Sequence, residues 1–473
     1  MDVQQLRPSR EQDAPIYLQL YGRFREAIAA GKLRPGDRVP SVRSLASELN
    51  LARGTVELAY QLLSSEGYFL ARGPAGTVVS PQLAALEPAG PPPVPPPGAG
   101  QPPADTAMHP WPFQLGLPAL DAFPRKTWAR LAAQAARDTS IEALNYPDPV
   151  GHEPLRRAIS AYLGISRGIA CSHEQVFVTQ GYRGALELAC RAVLRRGDLG
   201  WHEEPGYRFA RAYLERAGMR LAPVPVDEQG LSVAQGRRIA EAARFAVVTP
   251  THQSPLGVAL ALPRRLALLE WAGERQAWII EDDYDSEFRY HGRPLPALKS
   301  LDRGGRVLYT GTFSKVLFPG LRLAYLVVPL TQVERFRAAA AHLPGPALAP
   351  QAAVARFMEQ GHFARHLRKM RALYATRRAY LAQALQQALG RDLEVQTQAG
   401  GIHILARLRQ ASPSDAALAA RARSAGLAVQ PLSQWHMGQP AASGLLLGFT
   451  NIASPGMAAA LVDRLARALG GRP

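Results

Sequence analysis

Cysteine is nearly absent. The 473-residue chain has two, Cys171 and Cys190, too few for a disulfide-stapled scaffold or a four-cysteine zinc site and in keeping with a reduced, cytoplasmic setting. No apolar run approaches the roughly 18 residues of a membrane span. The opening stretch MDVQQLRPSREQDAPIYLQL lacks the apolar core of a secretory signal. Acidic side chains are outnumbered, 38 against 55 basic ones, for a net charge of +17, and only five of the basic residues are lysines. Residues 1–80 hold ten basic and eight acidic residues, so most of the excess lies further along. Net charge alone supports affinity for phosphates only weakly.

What is present is a globular composition, 47 % hydrophobic and 20 % charged. The length exceeds what one hydrophobic core usually supports, which implies two or more domains. Residues 81–105 carry ten prolines, in PQLAALEPAGPPPVPPPGAGQPPAD. Such a stretch builds neither a helix nor a central strand, and as polyproline II it would reach about 75 Å. The spacing therefore predicts a domain over 1–80, a Pro-rich linker over 81–107 and a second domain over 108–473.

In the first domain, Ile16, Leu20, Phe24 and Ile28 recur every four residues, one face of a helix. Ser41 is placed to cap a second helix with Val42, Leu45, Ala46 and Leu49 on its apolar face. A turn at Asn50-Leu51 leads into a third helix through Val56, Ala59, Tyr60 and Leu63. YFLAR, the turn Gly73-Pro74-Ala75-Gly76 and TVV then read as a hairpin. Three short helices and a hairpin form the plan of a winged helix-turn-helix. Ser41, Arg43, Arg53 and Thr55 stand at helix starts, where side chains and helix N-termini meet phosphates and base edges. Arg72 sits in the wing, suited to a backbone or minor-groove contact. The stretch GKLRPGDRVPSVRSLASELNLARGTVELAYQLLSSEGYF resembles the GntR-type DNA-binding domain over nearly its whole length. Ala52 departs from that pattern, standing where a serine often precedes the arginine.

From residue 108, apolar segments VFVT (176–179), FAVVT (245–249), WIIE (278–281), VLYT (307–310) and AYLVV (324–328) alternate with helical patterns. Continuous apolar strands between helices imply an α/β fold with a mainly parallel sheet covered on both faces. Ligands in such sheets bind beyond the carboxyl ends of strands. Gly181 and Tyr182 follow the first strand and open a helix, a setting suited to phosphate. Asp282, Asp283, Tyr284 and Asp285 follow WIIE, and no histidine at ligand spacing supports a metal there. Thr312, Ser314 and Lys315 follow VLYT, with Arg322 close behind. A desolvated lysine has a lowered pKa and can form a Schiff base. The hydroxyls and Arg322 could hold a phosphate beside it. Asp282 could pair with a pyridinium nitrogen and Tyr284 with a phenolic oxygen.

This set resembles the fold-type I pyridoxal 5'-phosphate (PLP) aminotransferases across most of residues 110–470. The resemblance implies Lys315 as the Schiff-base lysine, Arg322 as the phosphate arginine and Asp282, with Asp283 as fallback, as the partner of the pyridine nitrogen. It implies Tyr207, in HEEPGYRF, as the stacking aromatic. Tyr146, in NYPDPVGHEPLRRAI, would reach a neighbouring subunit's phosphate, which requires a homodimer. A GntR-type domain linked to an aminotransferase-like domain resembles the MocR family of bacterial transcription regulators, and TPTHQSPLG and EDDYDSEFRY are close to that family's wording.

Two departures bear on activity. Aminotransferases carry an arginine for the substrate α-carboxylate where GLLLGFT (444–450) has Leu446, and Ser254 replaces the usual asparagine before Pro-x-Gly. Losing a bidentate arginine clamp weakens capture of an ordinary amino acid. Arg208 and Arg407 are the candidate substitutes by position. The expectation is a PLP-dependent regulator that binds promoter DNA, with an amino compound or PLP itself acting at Lys315, and with at most a residual transamination half-reaction. The alternative is a working aminotransferase with an appended DNA-binding domain. Neither reading involves a membrane.

Overall fold

The computed structural model describes residues 3–9, 14–85, 110–290, 292, 295–396, 398–410, 413–440 and 442–470. Two compact units emerge, Met1–Thr106 and Ala107–Pro473. Most of the expected linker, from residue 86 onward, lies outside the described residues.

The first unit contains α1 (Ile16–Ala29), α2 (Val42–Leu49), α3 (Arg53–Ser65) and the antiparallel pair β1 (Phe69–Ala71) and β2 (Thr77–Val79). Leu20 and Phe24 of α1 pack with Leu45, Leu49, Val56, Tyr60 and Phe69 in one core. Phe24, Tyr60 and Phe69 meet edge to face, with centroids 5.1–5.6 Å apart, and the Tyr60 hydroxyl donates to the Pro40 carbonyl at 2.8 Å. Asn50 ends α2 in the left-handed region at φ 52°, a conformation asparagine tolerates better than most residues. That turn sets α3 across α2.

The second unit begins with α4 (Arg125–Arg137), α5 (Glu153–Arg167), β3 (Val176–Thr179), α6 (Gly181–Val193), β4 (Leu199–Glu204) and α7 (Arg208–Arg216). It continues through β5 (Arg220–Asp227), β6 (Gly230–Leu231), α8 (Val233–Ile239), β7 (Phe245–Val248), α9 (Leu262–Glu274), β8 (Trp278–Asp283), β9 (Val307–Thr312) and β10 (Ala324–Val327). Then follow α10 (Val333–Ala340), α11 (Leu348–Glu359), α12 (His362–Leu389), β11 (Leu393–Gln396), β12 (His403–Leu408), α13 (Asp415–Ser424), β13 (Gln430–Pro431), β14 (Gly444–Gly448) and α14 (Pro455–Leu469).

The large sheet runs β3-β10-β9-β8-β7-β4-β5-β6. Along β7 and β8, successive side chains alternate between two apolar clusters: Phe245, Val247, Trp278 and Ile280 on one face, Ala246, Val248 and Ile279 on the other. Both faces are buried, so the strands read as unbroken apolar runs. The centre of the sheet is parallel, but β10 runs antiparallel to both β9 and β3. The reason is local. Residues 313–323 join β9 to β10 without a crossover helix, so the chain must return antiparallel.

Register then assembles the site. Ala324, at the start of β10, pairs with Thr179 at the end of β3 and with Thr312 at the end of β9. The helix start at Gly181, the loop after Thr312 and Arg322 therefore meet at one edge, beside the end of β8. A second sheet is antiparallel and ordered β11-β12-β14-β13; only its β14, in GLLLGFT, has a counterpart in the sequence.

Candidate functional site

A cavity of about 480 Å³ opens beyond the ends of β3, β8 and β9. Gly181, Tyr182, Tyr207, Asp282, Tyr284, Thr312, Ser314, Lys315 and Arg322 all line it. Tyr146 does not; it is 97 % exposed, in a segment that also exposes Ile141 and Leu144. Arg208 and Arg407 do not line it either. Arg208 donates to the Gln434 side chain at 3.1 Å and lies over the Phe209 ring, so neither position supplies the cavity with a substitute arginine.

Lys315 is half-buried, and its Nζ donates to the Gly116 carbonyl at 2.9 Å. Burial lowers its pKa, against the opposing fields of Asp285 and Asp282. No ion pair holds it among the described residues. The Asp282 carboxyl is buried at the end of β8 and faces the cavity. Burial pushes its pKa up to about 8, helped by Asp283, Glu203 and Asp285 and opposed by the nearby Tyr182 hydroxyl. That hydroxyl makes no hydrogen bond of normal geometry and is buried without a partner.

The acidic run after WIIE divides its work by the alternation of β8. Asp283, the fallback for the pyridine nitrogen, is turned from the cavity and paired with Arg167 at 2.7 Å and the Tyr309 hydroxyl at 2.6 Å. It is already neutralised, whereas Asp282 makes no ion pair among the described residues. Asp285 takes both carboxylate oxygens to within 3.0–3.1 Å of His252 Nδ1. The same nitrogen lies 3.1 Å from the Tyr284 hydroxyl, so a buried His-Asp pair stands behind that tyrosine.

At the other end, α6 begins at Gly181, with φ +73°, and Arg322 holds φ 52°. A side chain at Gly181 would place its Cβ 3.6 Å from the Arg322 guanidinium. Glycine there leaves the helix start open beside an arginine, the cradle an anion needs. Thr312 Oγ1 accepts from the Ser314 N–H at 3.1 Å, which fixes the loop. Tyr207 lies with its centroid 6.0 Å from those of Tyr182 and Trp435. The residues fit PLP: a buried carboxyl facing the cavity for a protonated ring nitrogen, an amine for an aldehyde, and a cationic helix start for a phosphate.

The sequence does not point to Gly116, His403, Gln430 or Trp435, which are among the other residues of the lining. Gly116, between Leu115 and Leu117, carries no sequence signal, since its positive φ and its carbonyl's contact with Lys315 emerge only in the structure. The others come from β12, β13 and the turn after β13, parts of the unanticipated second sheet.

In the first unit, Ser41 caps α2 by accepting from the Ser44 N–H at 3.1 Å. Arg43, Arg53 and Arg72 are exposed and Thr55 half-buried. No ion pair occupies the three arginines among the described residues. Ala52 at the N-cap of α3 makes no side-chain cap, which leaves the first N–H groups of that helix open. Arg38 was missed: it is exposed, and a Cβ on Gly76 in the wing would lie 3.1 Å from its Nε.

Residues 16–79 match the bacterial regulatory proteins, gntR family, and residues 120–469 match aminotransferase class I and II. The chain is 38 % identical over 458 residues to the probable rhizopine catabolism regulatory protein MocR of Rhizobium meliloti, covering 94 % of this chain and 92 % of that one. It is 33 % identical over 442 residues to the HTH-type pyridoxine biosynthesis transcriptional regulator PdxR of Corynebacterium glutamicum, covering 92 % of each. The Pyrococcus horikoshii kynurenine aminotransferase structure superposes with a TM-score of 0.68 at 27 % identity, over 76 % of this chain and 90 % of that one.

Proposed function

The chain belongs to the MocR-type transcriptional regulators, a GntR helix-turn-helix domain joined to an aminotransferase class I and II domain, and on that basis we propose that it is a PLP-dependent regulator whose promoter binding responds to a small amine. The observation that carries this reading is the presence, in one cavity, of the Lys315 amine and the buried Asp282 carboxyl, which makes no ion pair among the described residues. When bound, PLP supplies an aldehyde that captures primary amines. Lys315 holds the cofactor, Asp282 keeps the ring nitrogen protonated, and Tyr284, backed by His252 and Asp285, donates to the phenolic oxygen. Tyr207 stacks on the ring. Gly181, Tyr182, Thr312, Ser314 and Arg322 hold the phosphate, with Tyr146 serving the same group in the partner of a homodimer.

The regulator works in the cytoplasm, with Ser41, Arg43, Arg53, Thr55 and Arg72 on promoter DNA. An effector that reaches Lys315 shifts the equilibrium between conformations of different DNA affinity; couplings of about 1–3 kcal/mol change occupancy several-fold or more. Leu446 is fully buried where a turnover enzyme would keep its carboxylate clamp, which favours sensing over catalysis. The test is the visible spectrum of the purified protein after PLP is added, with Lys315→Ala alongside. A band in the wild type alone supports the assignment, and Lys315→Ala should keep basal promoter binding while losing the effector response. Wild type without a band, or a mutant that still responds, overturns it.

A further inference from the structure

The wall of the cavity on the second-sheet side carries no cation among the described residues. Arg183 and Arg322 both stand at the start of α6, and Lys315 is the remaining cationic group of the lining. On the second-sheet side, Leu446 pairs in register with Gln430 and with Leu405. It is buried in an apolar cluster with Leu405, Leu432 and Trp435. Two polar atoms interrupt this wall. Trp435 is 5 % exposed, and its Nε1–H is buried without a partner; Gln430 Oε1 is buried and likewise unpartnered. Both side chains line the cavity.

His403 adds to the same character. It is buried, its Nε2 lies 3.0 Å from the Pro255 carbonyl, and burial together with His252 lowers its pKa. A neutral ring whose Nε2 hydrogen goes to a carbonyl keeps Nδ1 as a bare acceptor. The wall thus offers one donor and two acceptors, and Leu446, at the position where an aminotransferase places its guanidinium, lies buried behind it and brings no charge to the lining.

We infer that Gln430 and Trp435 select the effector's chemical class: a primary amine bearing an uncharged group that both donates and accepts, a hydroxyl or a carboxamide, in the place of a carboxylate. A group that both donates and accepts is complementary to the two: it can accept from Trp435 Nε1–H and donate to Gln430 Oε1. A carboxylate cannot donate to Gln430 or His403, and it would lose water against this wall without meeting a positive charge there. This inference rests on the reading that amines reach Lys315.

The experiment uses the full chain loaded with PLP and titrated with three amines of one skeleton, alaninol, alaninamide and alanine, while the cofactor's absorption is followed. Alaninol and alaninamide should perturb the band at concentrations about tenfold below alanine. Gln430→Leu, and separately Trp435→Phe, which keeps an aromatic ring, should each reduce that preference at least threefold, with thermal melting confirming the fold. Alanine acting as well as or better than the neutral amines overturns the inference. So does a preference unchanged in both variants, or a cofactor band that none of the three amines perturbs. Absence of any PLP band would instead sink the cofactor reading, so the two failures are distinct.

Discussion

Lys315 Nζ and the Gly116 carbonyl are 2.9 Å apart, and a methyl group on Gly116 would sit 2.4 Å from that nitrogen. The amine is therefore seated by a backbone that has no side chain in the way and that holds φ +75°. Gly116→Ala should cost about 1–2 kcal/mol in backbone strain, a tolerable loss for a chain of this size. Its larger effect should fall on the cofactor, because the flexible end of Lys315 is what must move. PLP uptake, read from the visible band, should weaken by about tenfold or more while the melting temperature shifts only a few degrees. Unchanged uptake would mean that the amine's resting position does not matter.

Asp282 should show opposite effects in the free and loaded protein. Without PLP its carboxyl is buried beside other acids, with a pKa near 8, so ionising it at alkaline pH costs stability. Asp282→Asn removes that cost and should raise the melting temperature of cofactor-free protein at pH 8.5. The same change removes the anion for the ring nitrogen and should weaken PLP binding by at least tenfold. A variant that lost stability and affinity together would point to a merely structural carboxylate.

A wider pH dependence follows from the same burial. Glu203, which accepts from Thr249 and Gln253, and Glu281, which accepts from the Leu298 and Lys299 N–H groups, are both pushed up to about 7 by burial. Together with Asp282 they keep protons in the folded state that the unfolded chain releases near pH 4. The folded state binds more protons across that interval, so stability falls as pH rises. Their contribution is complete below about pH 4 and is lost as pH passes through 7 to 8. Denaturant unfolding of the cofactor-free chain at pH 5.5, 7 and 8.5 should show a progressive decline, and Asp282→Asn should reduce its upper part.

The parts that were legible from sequence are those with an unambiguous local period or punctuation. The segment 176–179 reads as a strand and is β3, because three apolar residues and a threonine between turns, buried on both faces, are too short a run for a helix. Ser41 was read as a cap for the same reason, a serine placed before an apolar face. β5 was not read, since Pro223 and Pro225 argue against a strand; it tolerates them because its pairing with β6 is confined to Val226 and Asp227. The second sheet as a whole escaped notice because β11 to β14 are short and far apart in sequence. That omission hid Gln430 and Trp435, whose place in the cavity depends on cross-strand register rather than on any nearby motif. The choice between Asp282 and Asp283 also needed structure, because adjacent strand positions differ only in which face they serve.

Arg53 tests the first unit. It opens α3, is exposed and makes no ion pair among the described residues, so Arg53→Ala should leave stability within about 0.5 kcal/mol. If the open N-terminus of α3 faces DNA phosphates, the variant should bind a fragment of its own promoter several-fold more weakly, and the slope of log affinity against log salt should flatten by about 1. Ser41→Ala makes the complementary control. It removes the cap on the Ser44 N–H and should cost about 1 kcal/mol in stability, without the full change in salt slope, because no charge is removed. Gel-shift or anisotropy titrations at several salt concentrations separate the two. Arg53→Ala with unaltered affinity and slope would leave a three-helix domain whose DNA contacts lie elsewhere, and Arg38 beside the wing would become the next cation to replace.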